Sequence, residues 1–295
     1  MKIVQQCLFL ILWLPVFCQA AQAVTRHTVI DDQGNQVAFF TPPQRVISLA
    51  PNLTELVFAA GMGGHLVAVS AYSDYPRQAR LLKQIGDAYR LDWEKLIAFR
   101  PDLLLAWGSG LSTQDRAKLE KLKLKVLILE PRSLKDIPRI LRLLGRISGN
   151  RVQADASATA FERELRDLRM KYAERDPVRV YFQIAAYPML TVNEDHIISD
   201  VLRLCGGQNV FGALFQLTPV ISSEALIKEN PQILLAAVST RGQEEAVEEM
   251  WRGLPLQAAR QGRMAFITSD LISRSAPRIL WGARQVCEQI ELARH

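Results

Sequence analysis

The longest regular pattern in the chain lies between Asn150 and Glu174. Apolar residues recur there at Ala154, Ala158, Phe161, Leu165, Leu168 and Tyr172, in alternating steps of four and three, which sets them on one stripe of a helix. Asp155, Glu162, Arg163, Arg166, Asp167 and Arg169 fall on the opposite face, which is expected to meet water. Asn150 is the expected cap, and Asp176-Pro177 ends the helix because the residue before a proline is pushed out of helical geometry. The 25 residues from Asn150 to Glu174 would span roughly 37 Å as a helix, about the width of a small domain. The pattern predicts a stiff connector over 150–176, with one lobe over 24–149 and another over 177–295.

Ahead of the connector, the polarity pattern changes to short apolar runs. His27–Ile30 and Gln36–Phe40 flank the turn-rich Asp31-Asp32-Gln33-Gly34-Asn35 and read as a β-hairpin. Arg45–Leu49 reads as a buried strand, and Asn52-Leu53-Thr54-Glu55 as a capping box opening a helix that runs to Ala60 and stops at Gly61. Leu66–Val69 is a second strand, followed by the loop Tyr72-Ser73-Asp74-Tyr75-Pro76. Strands alternating with helices predict an α/β fold with mostly parallel sheets, in which ligands bind at the carboxyl ends of strands.

The two lobes share a motif. Trp93-Glu94-Lys95-Leu96-Ile97 followed by Arg100-Pro101-Asp102-Leu103-Leu104-Leu105-Ala106 is matched by Ser223-Glu224-Ala225-Leu226-Ile227 followed by Asn230-Pro231-Gln232-Ile233-Leu234-Leu235-Ala236. Asp92 and Ser222 are expected N-caps, which puts Glu94 and Glu224 in first helical turns where the helix dipole favours negative charge. Their alternative role is a two-point ionic dock, one carboxylate per lobe, for a symmetric basic partner.

The N-terminus changes the compartment. Lys2 precedes an apolar run over Cys7–Phe17, and Ala21-Gln22-Ala23 offers small residues for cleavage, the form of a secretory signal over 1–23. Its removal takes two of the four cysteines and lowers the formal charge from +6 to +5. Cys205 and Cys287 are then free to bridge in an oxidising compartment or to remain two buried thiols. Basic and acidic residues interleave, as in Arg163-Glu164-Leu165-Arg166-Asp167, so the positive excess does not form a nucleic-acid-binding stripe.

Catalytic motifs are missing. The sequence holds no G-x-S-x-G elbow, phosphate loop or C-x-x-C, and Gly61-Met62-Gly63-Gly64 lacks the full dinucleotide fingerprint. His27, His65, His196 and His295 lack metal-ligand spacing and read as surface residues. Neither an enzyme nor a resident cofactor or metal is expected. The reading from a different class is a secreted α/β hydrolase.

Five segments carry a resemblance: Arg45–Pro51, Ser70–Pro76, Arg100–Trp107, Cys205–Phe211, and Thr268-Ser269-Asp270 with Arg274-Ser275-Ala276-Pro277-Arg278. Through them the chain from Arg45 onward resembles the periplasmic cobalamin-binding proteins of vitamin B12 ABC importers. The first and third segments are also similar to the wider group that binds haem and iron–siderophores. The resemblance implies two α/β lobes joined by one long helix, little hinge closure, and a corrinoid held between the lobes. It implies that Tyr72, Trp107, Asp270 and Arg274 line the cleft, the aromatics covering the flat corrin or its base and the charged pair meeting peripheral amides. It also pairs Cys205 with Cys287 as a disulfide and makes Glu94 and Glu224 the carboxylates that meet arginines on the membrane permease. A periplasmic monomer is expected.

The chain departs from that family where aromatics that pack on the corrinoid correspond to Ala88, Leu190, Thr218 and Leu271, with Tyr89, Tyr187 and Phe215 as neighbouring substitutes. These departures, and the hairpin at His27–Phe40, keep haem or an iron–siderophore as the alternative ligand, with Tyr72 as an iron-contacting phenolate for haem.

Overall fold

The computed structural model describes residues 27–87, 90–172 and 174–294. The candidate signal segment, Ala88, Tyr89 and His295 lie outside the described residues.

A hairpin of β1 (His27–Ile30) and β2 (Gln36–Phe39) packs on the first lobe. It is fastened by Asp32, whose N–H donates to the Ile128 carbonyl and whose carboxylate pairs with Arg139. The lobe then alternates β3 (Val46–Ser48), α1 (Pro51–Ala59), β4 (Leu66–Val69), β5 (Lys83–Gln84), α2 (Trp93–Ala98), β6 (Leu103–Trp107), α3 (Thr113–Lys121), β7 (Val126–Leu129) and α4 (Asp136–Ser148). Its strands form a parallel sheet in the order β5-β4-β3-β6-β7.

The connector is α5 (Arg151–Tyr172), 22 residues or roughly 33 Å. All six apolar positions of the sequence stripe are buried. Asn150 stands at its start, where its carbonyl accepts from the Ala154 N–H and its side-chain amide donates to the Gly61 carbonyl at 2.9 Å, tying the start of α5 to the end of α1. Gly145 lets α4 and α5 touch, because a Cβ there would lie 2.3 Å from the Ala154 side chain.

The second lobe runs β8 (Val178–Gln183), α6 (Ile197–Leu204), β9 (Gly207–Asn209), α7 (Ser223–Glu229), β10 (Ile233–Val238), α8 (Arg241–Arg252), α9 (Gln257–Arg260), β11 (Met264–Thr268), α10 (Ser269–Ile272) and α11 (Ile279–Leu292). Its parallel sheet has the order β11-β10-β8-β9.

Side chains alternate across both sheets. Leu103 and Leu105 of β6, with Ile233 and Leu235 of β10, enter one core that runs continuously through the α5 stripe from lobe to lobe. Leu104 and Ala106 face a separate core on the far side of the first sheet, and Leu234 and Ala236 face the corresponding core of the second. The central core makes α5 part of both lobes, which is why the connector is stiff.

Candidate functional site

Each sheet has one place where its strand order reverses. In the first lobe the chain leaves β3 for β4 and β5, then returns to β6 on the other side, so the crevice opens beyond the carboxyl ends of β3 and β6. A cavity of about 280 Å³ lies there, bordered by Leu49, Ala50, Tyr72, Leu91, Trp107 and Leu111 among others. The structure thus brings Tyr72 and Trp107 together in one crevice. Trp107 ends β6 with its ring close against Gly110, where a Cβ would come within 2.8 Å of the ring. Its indole Nε1 is buried and finds no acceptor among the described residues. Tyr72 is 73% exposed and has a φ of 64°, a left-handed conformation that costs a non-glycine residue about 1–2 kcal/mol.

A buried hydroxyl cluster holds the Tyr72 loop in this conformation. Thr54 Oγ1 on α1 lies 2.9 Å from Ser48 Oγ and 3.0 Å from Ser73 Oγ, and Ser70 Oγ lies 3.2 Å from Ser73 Oγ. Ser48 also donates to the Ala50 carbonyl, so these polar groups beneath the loop are satisfied where burial would otherwise penalise them. The Ala71 N–H donates to the Gly86 carbonyl at 2.7 Å and fastens the same loop from its other side.

In the second lobe the order reverses between β8 and β10. Tyr187 follows β8 and Phe215 follows β9, and they are 82% and 100% exposed. Leu190 bridges Ala185 and Val220 through its backbone, Thr218 is exposed, and Leu271 packs its backbone against α11 at Gly282.

Asp270 and Arg274 are brought together beyond β11, with Arg274 Nη2 donating to Asp270 Oδ1 at 2.9 Å. Arg274 also crosses to the first lobe. Its Nη1 donates to Asp74 Oδ1 at 2.6 Å and to Glu55 Oε1 at 3.2 Å. Arg278 adds a two-pronged contact to Glu55, with Nε donating to Oε2 at 2.9 Å and Nη2 to Oε1, while its guanidinium lies 3.8 Å from the centre of the Tyr75 ring. Burial raises the Asp74 carboxyl, but the hydrogen bond and charge of Arg274 outweigh it and hold it below the usual carboxylate range. Desolvation opposes the charge on Arg274, and Asp74, Asp270 and Glu55 overcome it, holding the guanidinium above its usual value.

The role of Glu55 corrects the expected capping box. Helix α1 begins at Pro51 after Ala50 with no side-chain cap, because proline at its first position brings no N–H to satisfy. Glu55 is 3% exposed and accepts from arginines instead of reaching back to the helix start. His196 is a second correction: its Nδ1 accepts from the Ile198 N–H at the start of α6, and burial together with the nearby Arg132 lowers the imidazole to about 4.

Glu94 and Glu224 are exposed in the first turns of α2 and α7, each immediately before the strand its sequence motif announced. Asp92 accepts from the Lys95 N–H and Ser222 from the Ala225 N–H as N-caps. The Ser222 hydroxyl also hydrogen-bonds the Glu224 carboxylate and holds it below the usual range. Cys205 and Cys287 form a disulfide with a Cα–Cα distance of 4.7 Å, at the amino end of β9 and therefore away from the carboxyl ends that shape the crevice.

Two lobes with parallel sheets, one shared helix and crevices at facing strand ends define a binding protein of the two-lobed, helix-linked type. The chain belongs to the periplasmic binding protein family, whose model matches residues 46–271. It is 34% identical over 256 residues to the vitamin B12-binding protein of Vibrio cholerae, a match covering 85% of this chain and 91% of that protein. Among solved structures, the periplasmic vitamin B12-binding protein BtuF of Vibrio cholerae superposes with a TM-score of 0.79 at 33% identity, covering 86% of this chain and 99% of that one. A periplasmic haem-binding protein from Pseudomonas aeruginosa superposes with a TM-score of 0.74 at 25% identity, covering 84% and 92%. Among the described residues no helix is long and apolar enough to cross a membrane.

Proposed function

We propose that this chain is the periplasmic capture subunit of an ABC importer and binds cobalamin or a related corrinoid in the crevice between its lobes. The observation that carries the reading is its 34% identity, across nearly the whole of both chains, to a protein named for binding vitamin B12. The crevice chemistry agrees. Tyr72 and Trp107 on one side, with Tyr187 and Phe215 on the other, offer aromatic faces to a flat macrocycle, and Asp270 with Arg274 offers polar partners for peripheral amides. The corrinoid is cargo in this reading, and the protein works as an exported monomer without catalysis.

Glu94 and Glu224 are the proposed contacts to the permease. Both are exposed carboxylates in first helical turns, one on each lobe, and suit a pair of basic sites. The alternative reading is a haem carrier, favoured by the exposed Tyr72 phenol and by the haem-binding structural neighbour.

Calorimetric titration of the purified protein with cyanocobalamin, cobinamide, haemin and a ferric siderophore tests the ligand. One-to-one binding of cyanocobalamin at micromolar or tighter affinity is expected. Heat from haemin and silence from both corrinoids would transfer the reading to haem. For docking, Glu94→Arg with Glu224→Arg is expected to abolish uptake in cells while leaving the titration unchanged.

A further inference from the structure

We propose that Glu55 is a positioning residue that fixes the separation of the two lobes, and the aim of Arg274, before any ligand enters. It stands on α1 between buried Leu53, Leu56 and Val57, so its carboxylate projects from a rigid part of the first lobe. Both of its oxygens are committed to the second lobe: Oε1 accepts from Arg274 and Arg278, and Oε2 accepts from Arg278. The two-pronged contact fixes direction as well as distance, and Tyr75 of the first lobe stacks on the same guanidinium. On the far side of the molecule Asp200 of α6 accepts from the Leu134 N–H at 2.8 Å. Among the described residues the lobes are therefore also joined by polar contacts beyond the core around α5.

A buried ion cluster contributes little net stability, because desolvating its charges cancels most of their attraction. What Glu55 supplies is geometry. Arg274, only 11% exposed along its side chain, is shared among Glu55, Asp74 and Asp270, and so stands oriented in advance. A polar group that needs no ordering on binding leaves more of the contact energy for the ligand. The effect on capture rests on the corrinoid reading, but the effect on lobe separation does not.

In protein prepared without residues 1–23, which carry Cys7 and Cys18, spin labels at Leu81→Cys and Arg241→Cys, exposed positions on opposite lobes, report the separation by pulsed dipolar spectroscopy, since Cys205 and Cys287 are tied up in their disulfide. Without ligand, the protein carrying Glu55 is expected to give one narrow distance population. Glu55→Gln is expected to broaden it and to weaken cyanocobalamin binding roughly tenfold. Arg278→Gln, which leaves the Glu55–Arg274 contact, should broaden it as well and serves if Glu55→Gln fails to fold. The exchange Glu55→Arg with Arg278→Glu should restore a narrow population, which a residue that merely holds its own helix would not do. An unchanged narrow distribution in the single variants, or no recovery in the exchange, would overturn the proposal. Absence of cyanocobalamin binding by every form, with the distance results as expected, would sink the ligand reading and leave the clamp standing.

Discussion

The two walls of the crevice are anchored differently. Tyr72 sits on a loop fastened from below by the Ser48, Thr54, Ser70 and Ser73 hydroxyls, and Trp107 ends a central strand against Gly110. Tyr187 and Phe215, which follow β8 and β9 of the second lobe, ride on loops held through backbone bridges at Leu190 and a bond from the Asn193 amide to the Leu214 carbonyl. The first wall stores a shape, to the point of holding Tyr72 in a left-handed backbone; the second presents exposed aromatic rings, which are expected to adjust more readily. A rigid wall selects a ligand by fit and an adaptable one conforms to it, so discrimination should reside in the first lobe and tolerance in the second.

The largest test separates the scaffold of the second lobe from its wall. Cys205→Ser with Cys287→Ser opens a loop with a sequence separation of 82. In the chain-entropy model, the loss is about 4 kcal/mol of stability. Because the bridge lies at the amino end of β9, denaturant unfolding should register the loss while the ligand affinity of the folded protein stays the same. A parallel drop in affinity would mean that the second wall depends on the bridge.

Acid should act on the second lobe next. His196 is held near 4 against an ordinary 6.5, so the folded state favours the neutral ring. The stability this supports is complete above pH 6.5 and declines as pH falls toward 4, reaching a loss of about 2 kcal/mol near pH 5. His196→Asn keeps a capping side chain and should remove that part of the acid limb in unfolding curves taken from pH 7 to 5. An unaltered limb would assign the acid sensitivity between pH 7 and 5 to groups other than His196, and Asp74 is not one of them. Its depressed carboxyl contributes stability that is lost only as pH falls below its ordinary 3.8.

What could be read in the sequence follows from how the information is stored. The α5 stripe is periodic, and every one of its six positions is buried. The paired helix–strand motifs carry their caps within a few residues, so Asp92, Ser222, Glu94 and Glu224 fall where local rules put them. Glu55 defeats those rules. Asn52-Leu53-Thr54-Glu55 imitates a capping box, while the partners that decide its role lie 219 and 223 positions away. The same holds for Arg274, expected to face ligand amides and found shared with two first-lobe carboxylates. His196, between Asp195 and Ile197, gave no hint that it would cap a helix start and become half-buried there. The positive φ of Tyr72 was likewise illegible, since the hydroxyls that brace its loop come from two other segments, at Ser48 and Thr54.

Smaller effects probe the anchoring of the first wall. Thr54→Val keeps the shape of the side chain and removes the hydroxyl at the centre of the cluster. Ser48 retains the Ala50 carbonyl and Ser73 retains Ser70, so the cost should be about 1 kcal/mol rather than the full penalty for stranded polar groups. Affinity should nonetheless fall, because the loop that carries Tyr72 loses a fastening. Unfolding curves and titration on one preparation separate the two quantities, and loss of stability with undiminished affinity would argue that the wall needs no anchoring.

The smallest change in stability, and the sharpest contrast, comes from the ring at the other wall. Phe215 is fully exposed, so Phe215→Ala should leave stability within about 0.5 kcal/mol. Removing its aromatic face should cost about 1 kcal/mol of binding, roughly fivefold in Kd. Tyr72→Gly should instead stabilise the fold by up to about 1 kcal/mol, since glycine accepts the left-handed backbone without strain, and should weaken binding more than Phe215→Ala does. A gain in stability at Tyr72 and none at Phe215, with losses of affinity at both positions, would mean that the first wall keeps a strained residue for its ligand while the second makes its contact at no cost to the fold. Equal losses of affinity would erase the distinction between a selecting wall and a tolerant one.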